Sequence, residues 1–413
     1  MSKYDVIIVG GGTAGCACAY TAAKKGLKTL LVEKNSFLGG SITSALVIPA
    51  MKTSSNAINT TFFDTLYKEL NDIGGAITYI DGNKGWFNPE LTKIVLDKIL
   101  IEAGVEILFE SSIKEIEKKL SSYIVTIESD NIDSSLCDRL LVPVETRYLV
   151  DATGDAKICQ KLNCEFLEKK SQPINLRFIM SGINTKEFAD WLLKFDKDRD
   201  VTTACEVDGK TYLSTAYTWD SGKDWALKPL FKDAIDTGVV KEEDTNYFQL
   251  FSVAGTPDSI AFNAPRLIDD QNPYIDGRAA IFRLSNFCKK YLKGFENSYI
   301  SSIANSLGIR VSNRVKGKYV YTQEDLRSGK KFNHPVVVSN YPIDIHSDKK
   351  DASTLEKVYQ EYQLPIESLI VDENLFVVGR CISADFEAQA ALRIIPSCFS
   401  MGEGLANYLA AKN

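Results

Sequence analysis

Val6-Ile7-Ile8-Val9-Gly10-Gly11-Gly12-Thr13-Ala14-Gly15 decides how this chain begins to fold. Four apolar residues run straight into a glycine turn. Small residues follow, Cys16-Ala17-Cys18-Ala19-Tyr20-Thr21-Ala22-Ala23, then Lys24-Lys25-Gly26, a second apolar run Thr29-Leu30-Leu31-Val32, and Glu33. The order reads strand, glycine turn, helix, strand, acid, which is the dinucleotide-binding unit. Each residue type has a physical task. Gly10 permits the tight turn off the strand. Gly12 lets backbone approach a pyrophosphate, and Gly15 lets the helix pack close to the sheet. The helix N-terminus presents unpaired N–H groups and its positive dipole end to the phosphates. The Glu33 carboxylate is placed to accept both adenosine ribose hydroxyls. Its charge disfavours a 2′-phosphate there.

Composition bounds the rest. At 413 residues, a prior of about 150 residues per domain gives two or three domains. The chain is 45% apolar and 25% charged, ordinary for a globular protein with ample core. A net charge of −6 without a basic block argues against a nucleic-acid partner. No apolar run approaches the roughly 18 residues of a membrane span. The first strand is under way by Tyr4, so no signal peptide is expected and a cytoplasmic location is. Nine cysteines include no Cys-x-x-Cys pair, so no metal site is expected. Cys159 and Cys164 have the Cys-x4-Cys spacing of a redox pair, but follow a later strand than such pairs do. Buried thiols are the alternative.

Along the chain, a helix is expected from Thr60 to Ile73 and another from Asn88-Pro89, ended by Gly104. A strand follows at Val105 to Phe109. Ile113 to Ile127 and Leu136 to Tyr148 read as short antiparallel strands. Tyr148-Leu149-Val150-Asp151 reads as a further strand, ending in the turn Ala152-Thr153-Gly154-Asp155. Between Cys164 and Phe295 lie expected strands at Asn175 to Met180, Thr211 to Tyr217, Phe248 to Val253 and Ile260 to Ala264. Helices are expected at Lys186 to Phe195 and Asp276 to Leu292. Trp191, Trp219 and Trp225 fall here, in what reads as an inserted sheet-based domain with an aromatic core. Leu375 to Val378 is a buried strand. The segment from Pro396, rich in small residues, should form a closely packed helix. A second Gly-x-Gly-x-x-Gly unit is absent, so one dinucleotide is expected by fold.

These residues resemble the bacterial FAD-dependent oxidoreductase family of glutathione-reductase-like flavoproteins, related to the FAD subunit of heterodisulfide reductases. The resemblance rests on the opening unit through Phe37-Leu38-Gly39-Gly40 and on Val150-Asp151-Ala152-Thr153-Gly154-Asp155. It rests also on Leu307-Gly308-Ile309-Arg310 with Arg314, on Tyr341-Pro342-Ile343-Asp344-Ile345-His346, and on Gly379-Arg380-Cys381 with Arg393 and Pro396. It implies an α/β fold: a Rossmann-like FAD-binding domain of parallel sheet plus antiparallel meander, with an inserted α+β substrate domain. The expected boundaries are 1–165, 166–298 and 299–413. It implies FAD contacts at Gly10, Gly12, Thr13, Ala14, Gly15, Glu33 and Lys34, and at Gly39, Gly40 and Ser41. Further contacts are implied at Ala152, Thr153, Gly154, Asp155, Gly379, Arg380, Pro396 and Cys398. Three positions depart from the family pattern: Val311 replaces an acid, Asn313 a second arginine, and Phe386 a histidine.

The expected chemistry is hydride transfer between flavin N5 and a small organic substrate. The electron acceptor or donor is unknown and oligomeric state stays open. The helix from Pro396 would aim its N-terminus at the flavin N1 and C2 carbonyl, where negative charge develops. Arg393 would add charge or hold a substrate carboxylate. Strand alternation puts Asp344 and His346 on one face, as a proton relay or a structural pair. Arg310 and Arg314, four apart, would share a helix face for anion binding or salt bridging. The alternatives are an electron-transfer flavoprotein subunit, which the missing iron–sulfur cysteine spacing argues against, and a non-catalytic FAD-binding protein. A flavin monooxygenase or halogenase would carry a Gly-Asp turn after its C-terminal strand and a Trp-x-Trp-x-Ile-Pro motif. Neither is present.

Overall fold

A computed structural model describes residues 2–129, 140–215, 225–245, 247–267, 271–346 and 354–413. The expected Leu136–Arg139, Ala216–Tyr217 and Trp219 lie outside them.

The glycine unit folds as its sequence dictates. Strand β1 (Ser2–Val9) leads through the turn into helix α1 (Thr13–Lys24), which returns the chain to β2 (Thr29–Val32). Val6 to Val9 pair in parallel with Thr29 to Val32. Helix α2 (Pro89–Glu102) starts under an Asn88 cap, whose side chain accepts from the Glu90 and Leu91 N–H groups. β3 (Glu106–Leu108) then extends the sheet beyond β2. Strands β4 (Ser111–Lys118) and β5 (Tyr123–Ser129) form the meander with β6 (Leu140–Asp151). Here the expectation of two strands is corrected. Leu140 to Asp151 is one strand that changes neighbours. Its first half pairs antiparallel with β5, its second half parallel with β1. The sequence changes from polar alternation to the continuous apolar run Tyr148-Leu149-Val150 where burial changes from one face to two.

A six-stranded antiparallel sheet follows, holding β7 (Phe178–Ser181), β8 (Thr202–Val207), β9 (Lys210–Thr215), β10 (Leu250–Val253), β11 (Thr256–Phe262) and β12 (Tyr299–Ile303). The spatial order is β8-β9-β10-β11-β7-β12, so the sheet continues past residue 298. Helices α3 (Thr185–Phe195) and α4 (Pro273–Tyr291) cover it. Its core is aromatic: Phe178 stacks on Phe262 at 4.4 Å, Phe231 on Phe287 at 4.1 Å, and Trp225 packs on Phe231 at 5.6 Å.

The chain then returns to the first sheet. β13 (Leu375–Val377) pairs in parallel with Leu149 to Asp151. Helix α5 (Phe386–Leu392) leads into α6 (Ile395–Lys412), which packs along α1. Close packing of these two helices requires small residues. A Cβ on Gly402 would lie 2.1 Å from the Ala14 carbonyl oxygen. Arg310 and Arg314 do not share a helix, as no helix or strand forms from Ala304 to Tyr321. Side-chain bonds pin this segment instead. Arg314 donates to the Ala384 and Glu168 carbonyls, and Asn313 to the Asp155 carbonyl. No helix among the described residues is long and apolar enough to cross a membrane.

Candidate functional site

Three parallel strands end side by side, at Val9, Asp151 and Val377. The Ala152 N–H donates to the Val9 carbonyl at 2.8 Å, and the Val378 N–H to the Asp151 carbonyl at 3.1 Å. Three turns therefore open at one sheet edge: Gly10–Gly12, Ala152–Asp155 and Gly379–Arg380. The carboxyl ends of parallel strands are where such folds bind ligands. A cavity of about 730 Å³ begins there.

The glycines of the first turn have distinct reasons. A Cβ at Gly15 would sit 1.9 Å from the Gly10 carbonyl oxygen, and one at Gly10 would sit 2.5 Å from the Ala152 carbonyl oxygen. These two are required by the protein's own packing. A Cβ at Gly12 would meet only the Gly40 Cα, at 4.0 Å, and Gly12 has an ordinary φ of −78°. Nothing in the fold demands glycine there, and the space a side chain would take opens to the cavity. The α1 N-terminus has no side-chain cap and no acid in its first turn, which suits a phosphate. Gly12→Ala is expected to fold normally yet hold its cofactor roughly tenfold or more weakly, since overpacking a close contact costs about 1–3 kcal/mol. Flavin retention measured against Tm checks this.

Glu33 is buried, and burial raises its carboxyl against the hydrogen bonds that lower it. Its Oε2 accepts the Gly11 N–H at 2.7 Å, and its Oε1 accepts the backbone and side-chain N–H groups of Asn35. Glu33 thus fixes the turn as well as facing the cavity. With Oε1 doubly engaged, room for a further donor remains on Oε2, fewer sites than the sequence suggested. Glu33→Ala is expected to lower flavin retention and to destabilise the turn by about 1–3 kcal/mol, from donors left unpaired. Equal retention in wild type and variant would remove Glu33 from the ribose site.

Of the sequence-derived contact set, Gly10, Gly12, Thr13, Ala14, Glu33, Lys34, Gly40, Ser41, Ala152, Thr153, Gly154, Asp155, Gly379, Arg380 and Cys398 line the cavity. Gly15, Gly39 and Pro396 do not. Gly39, at φ +102°, turns the loop so that its N–H donates to the Gly11 carbonyl at 2.8 Å. Pro396 stands in the first turn of α6, whose Ile395 and Cys398, with the preceding Ile394, reach the cavity. That helix start has no side-chain cap and no acid. Burial pushes the Cys398 thiol up to about 11, so it stays protonated. Arg380 pairs with Asp155 at 2.6 Å and donates to Ser312, which in turn holds the Gly154 carbonyl. Cys159 and Cys164 are free thiols that do not line the cavity.

The far end of the cavity has a different character. Arg310, Asp344, His346 and Arg393 all line it, whereas Arg314 does not. Asp344 Oδ1 lies 3.2 Å from His346 Nε2, and its Oδ2 lies 3.1 Å from Arg393 Nη2. Burial alone would raise the Asp344 carboxyl. Contact with His346 and the guanidinium groups of Arg393 and Arg310 outweigh it and hold that carboxyl well below the usual range. His346 Nδ1 faces Arg266 Nη2 at 3.0 Å. A guanidinium only donates, so Nδ1 is the acceptor and Nε2 carries the proton toward Asp344. Burial, with Arg310 beside it, lowers the imidazole to about 3 despite Asp344.

Segments flanking strands of the inserted sheet contribute residues that sequence reasoning did not select: Arg177, Tyr247, Gln249 and Asn263. Tyr247 packs edge-on against His346 at 5.3 Å, with the Arg310 guanidinium 5.8 Å from its ring. The strand expected from Asn175 to Met180 is two short strands, Ile174–Asn175 and Phe178–Ser181, and Arg177 stands in the break between them. The polar pair Asn175 and Arg177 in that apolar stretch is the signal the sequence offers.

A parallel sheet with a three-turn crevice, an antiparallel meander and a second sheet beside the cavity define the class: dinucleotide-binding oxidoreductases of the flavin type. The chain belongs to the FAD dependent oxidoreductase family, whose model matches residues 5–412. FAD is its cofactor. The uncapped α1 start, the Gly12 space and the Glu33 carboxylate suit FAD's adenosine diphosphate half. It is similar to the thiamine thiazole synthase of Methanococcus vannielii, 29% identical over 167 residues, covering 39% of this chain and 60% of that protein. It is also similar to the digeranylgeranylglycerophospholipid reductase of the same organism, 27% identical over 150 residues, covering 35% of this chain and 38% of that protein. The chain thus spans less than two thirds of the length of these curated relatives. Among solved structures, the p-nitrophenol 4-monooxygenase of Pseudomonas putida DLL-E4 shares the fold with a TM-score of 0.51 at 12% identity, covering 100% of this chain and 80% of that one.

Proposed function

We propose that this chain is an enzyme that moves a hydride between flavin N5 and a small organic substrate seated at the inner end of the cavity. The observation that supports this is continuity: one cavity joins the dinucleotide crevice to the buried cluster of Arg310, Asp344, His346 and Arg393. FAD, when bound, supplies the two-electron acceptor or donor. Arg393 and the uncapped start of α6 place positive potential on a shared wall, where developing negative charge is stabilised. Arg393 Nε has no hydrogen-bond partner among the described residues. His346 has both ring nitrogens engaged, which makes it a poor base. The proton relay expected of Asp344 and His346 is therefore not part of this proposal: the pair holds Arg266 and Arg393 in position. We place the chain with glutathione-reductase-like flavoproteins on its single glycine unit. The missing iron–sulfur cysteine spacing sets it apart from electron-carrying subunits.

Anaerobic bleaching of the flavin against a metabolite panel tests the proposal. A substrate should bleach the wild type rapidly, and Arg393→Ala should slow this about 100-fold, the typical cost of one lost charge-stabilising donor, with flavin content unchanged. A protein bleached only by a reduced partner protein would be an electron carrier. One bleached by nothing in the panel, in either direction of transfer, would be a non-catalytic binder.

A further inference from the structure

The inner end of the cavity carries more positive charge than the fold neutralises. Arg177 and Arg310 both line it, and neither makes an ion pair among the described residues. Arg177 donates only to neutral groups, weakly to the Leu46 carbonyl at 3.5 Å and from Nε to the Asn175 amide oxygen at 3.2 Å, while Arg310 donates to the Pro173 carbonyl at 2.7 Å. Burial and then the proximity of Arg310 lower Arg177 to about 9; burial lowers Arg310 to about 10, with Arg393 acting in the same direction. Arg393 already shares Asp344 with His346. Setting Arg266 aside, three guanidinium groups and one carboxylate, that of Asp344, line this end among the described residues.

Buried, mutually repelling cations are costly unless an anion joins them. Arginine forks match planar carboxylates in particular, since two parallel N–H groups meet two oxygens. Tyr247 supplies a flat aromatic wall beside Arg310, and the Asn263 and Gln249 amides, hydrogen-bonded to each other at 2.8 Å, add polar groups to the same end. We propose that the substrate carries a carboxylate and that Arg177, just before strand β7 of the inserted sheet, clamps it together with Arg310. This rests on the hydride-transfer reading above and adds the substrate class to it. The inserted sheet then selects substrates by charge, while the first sheet holds the cofactor.

The test uses FAD-loaded protein and non-reacting probes: succinate, malonate and benzoate, with succinamide as a neutral isostere and inorganic phosphate as a tetrahedral anion, all at constant ionic strength. Flavin difference spectra and Tm are read together. At least one carboxylate should shift the spectrum and raise Tm; succinamide and phosphate should do neither. Arg177→Met should weaken that carboxylate about 30-fold or more, the loss typical of truncating one member of a buried charge pair. It should also keep its flavin and, without anions, melt no lower than wild type. Arg177→Lys, which keeps the charge and loses the fork, should fall between them, so a folding defect in one variant does not decide the matter. Phosphate binding as well as the carboxylates, or Arg177→Met binding them like wild type, overturns the assignment. Carboxylate binding without bleaching by any carboxylate would leave this site standing and remove the hydride-transfer reading. Bleaching by a neutral compound with no carboxylate binding would do the reverse.

Discussion

Asp344→Ala is expected to cost about 3–5 kcal/mol of folding stability, the range for removing one partner of a buried charge network. Against total stabilities of about 5–15 kcal/mol, the variant should melt far lower or accumulate poorly. The cause is not the lost contacts themselves. Among the described residues, Asp344 is the carboxylate that faces Arg393, Arg310 and the imidazole of His346, and without it those guanidinium groups stay buried with no counter-charge from the described residues. Two consequences separate this account from simple cavity creation. Adding Arg310→Met to Asp344→Ala should recover part of the loss, because the second change removes a repelling cation, so the pair should be non-additive. Asp344→Asn keeps the shape and removes the charge, so it should be less stable than wild type yet bind carboxylate probes more tightly. Urea denaturation at equal flavin saturation measures the first effect and probe titration the second. A loss below about 1 kcal/mol in Asp344→Ala would mean that Asp344 does not balance these charges.

What could be read from the sequence follows from how local each feature is. The first strand, glycine turn, helix and Glu33 are written within 33 residues, and each position is constrained by its near neighbours. Gly15, for instance, must be glycine because the Gly10 carbonyl lies against it. The single strand from Leu140 to Asp151 was read as two because it exchanges the meander for the parallel sheet midway, and its periodicity changes with its environment. Arg310 and Arg314 were assigned to a shared helix face by spacing alone. Their segment is shaped by bonds to Pro173, Glu168 and Ala384, partners up to 146 residues away, which local patterning does not encode. Arg177, Tyr247 and Asn263 sit just outside the strands of the antiparallel sheet, far apart in sequence, and line one cavity only once that sheet is folded. The adenosine end of the site was therefore legible as a motif. The charged end exists only once two sheets are packed together.

Acid should weaken this protein earlier than its carboxylates alone would predict. His346 is held neutral in the folded state, with its imidazole lowered to about 3, whereas an unfolded histidine titrates near about 6.5. Above about pH 6.5 both states are neutral and the residue contributes no pH dependence. As pH falls below that value the unfolded chain binds a proton that the folded chain refuses, so stability drops with pH until the folded imidazole titrates near 3. The slope is about 1.4 kcal/mol per pH unit per such group, which gives a loss of about 2 kcal/mol by pH 5. The depressed carboxyl of Asp344 has its own window. Its contribution is complete above its unfolded value of about 3.9 and is lost only as pH falls through its lower folded value. Between pH 6.5 and pH 4, then, the histidine acts without it. His346→Gln offers an amide that can accept from Arg266 and donate to Asp344 but cannot titrate. Urea midpoints at pH 7.5, 6, 5 and 4 should fall steeply for wild type below pH 6.5 and distinctly less for the variant, since His334 is the only other histidine. Parallel curves would show that His346 is not the buried neutral imidazole that its contacts with Arg266 and Asp344 require.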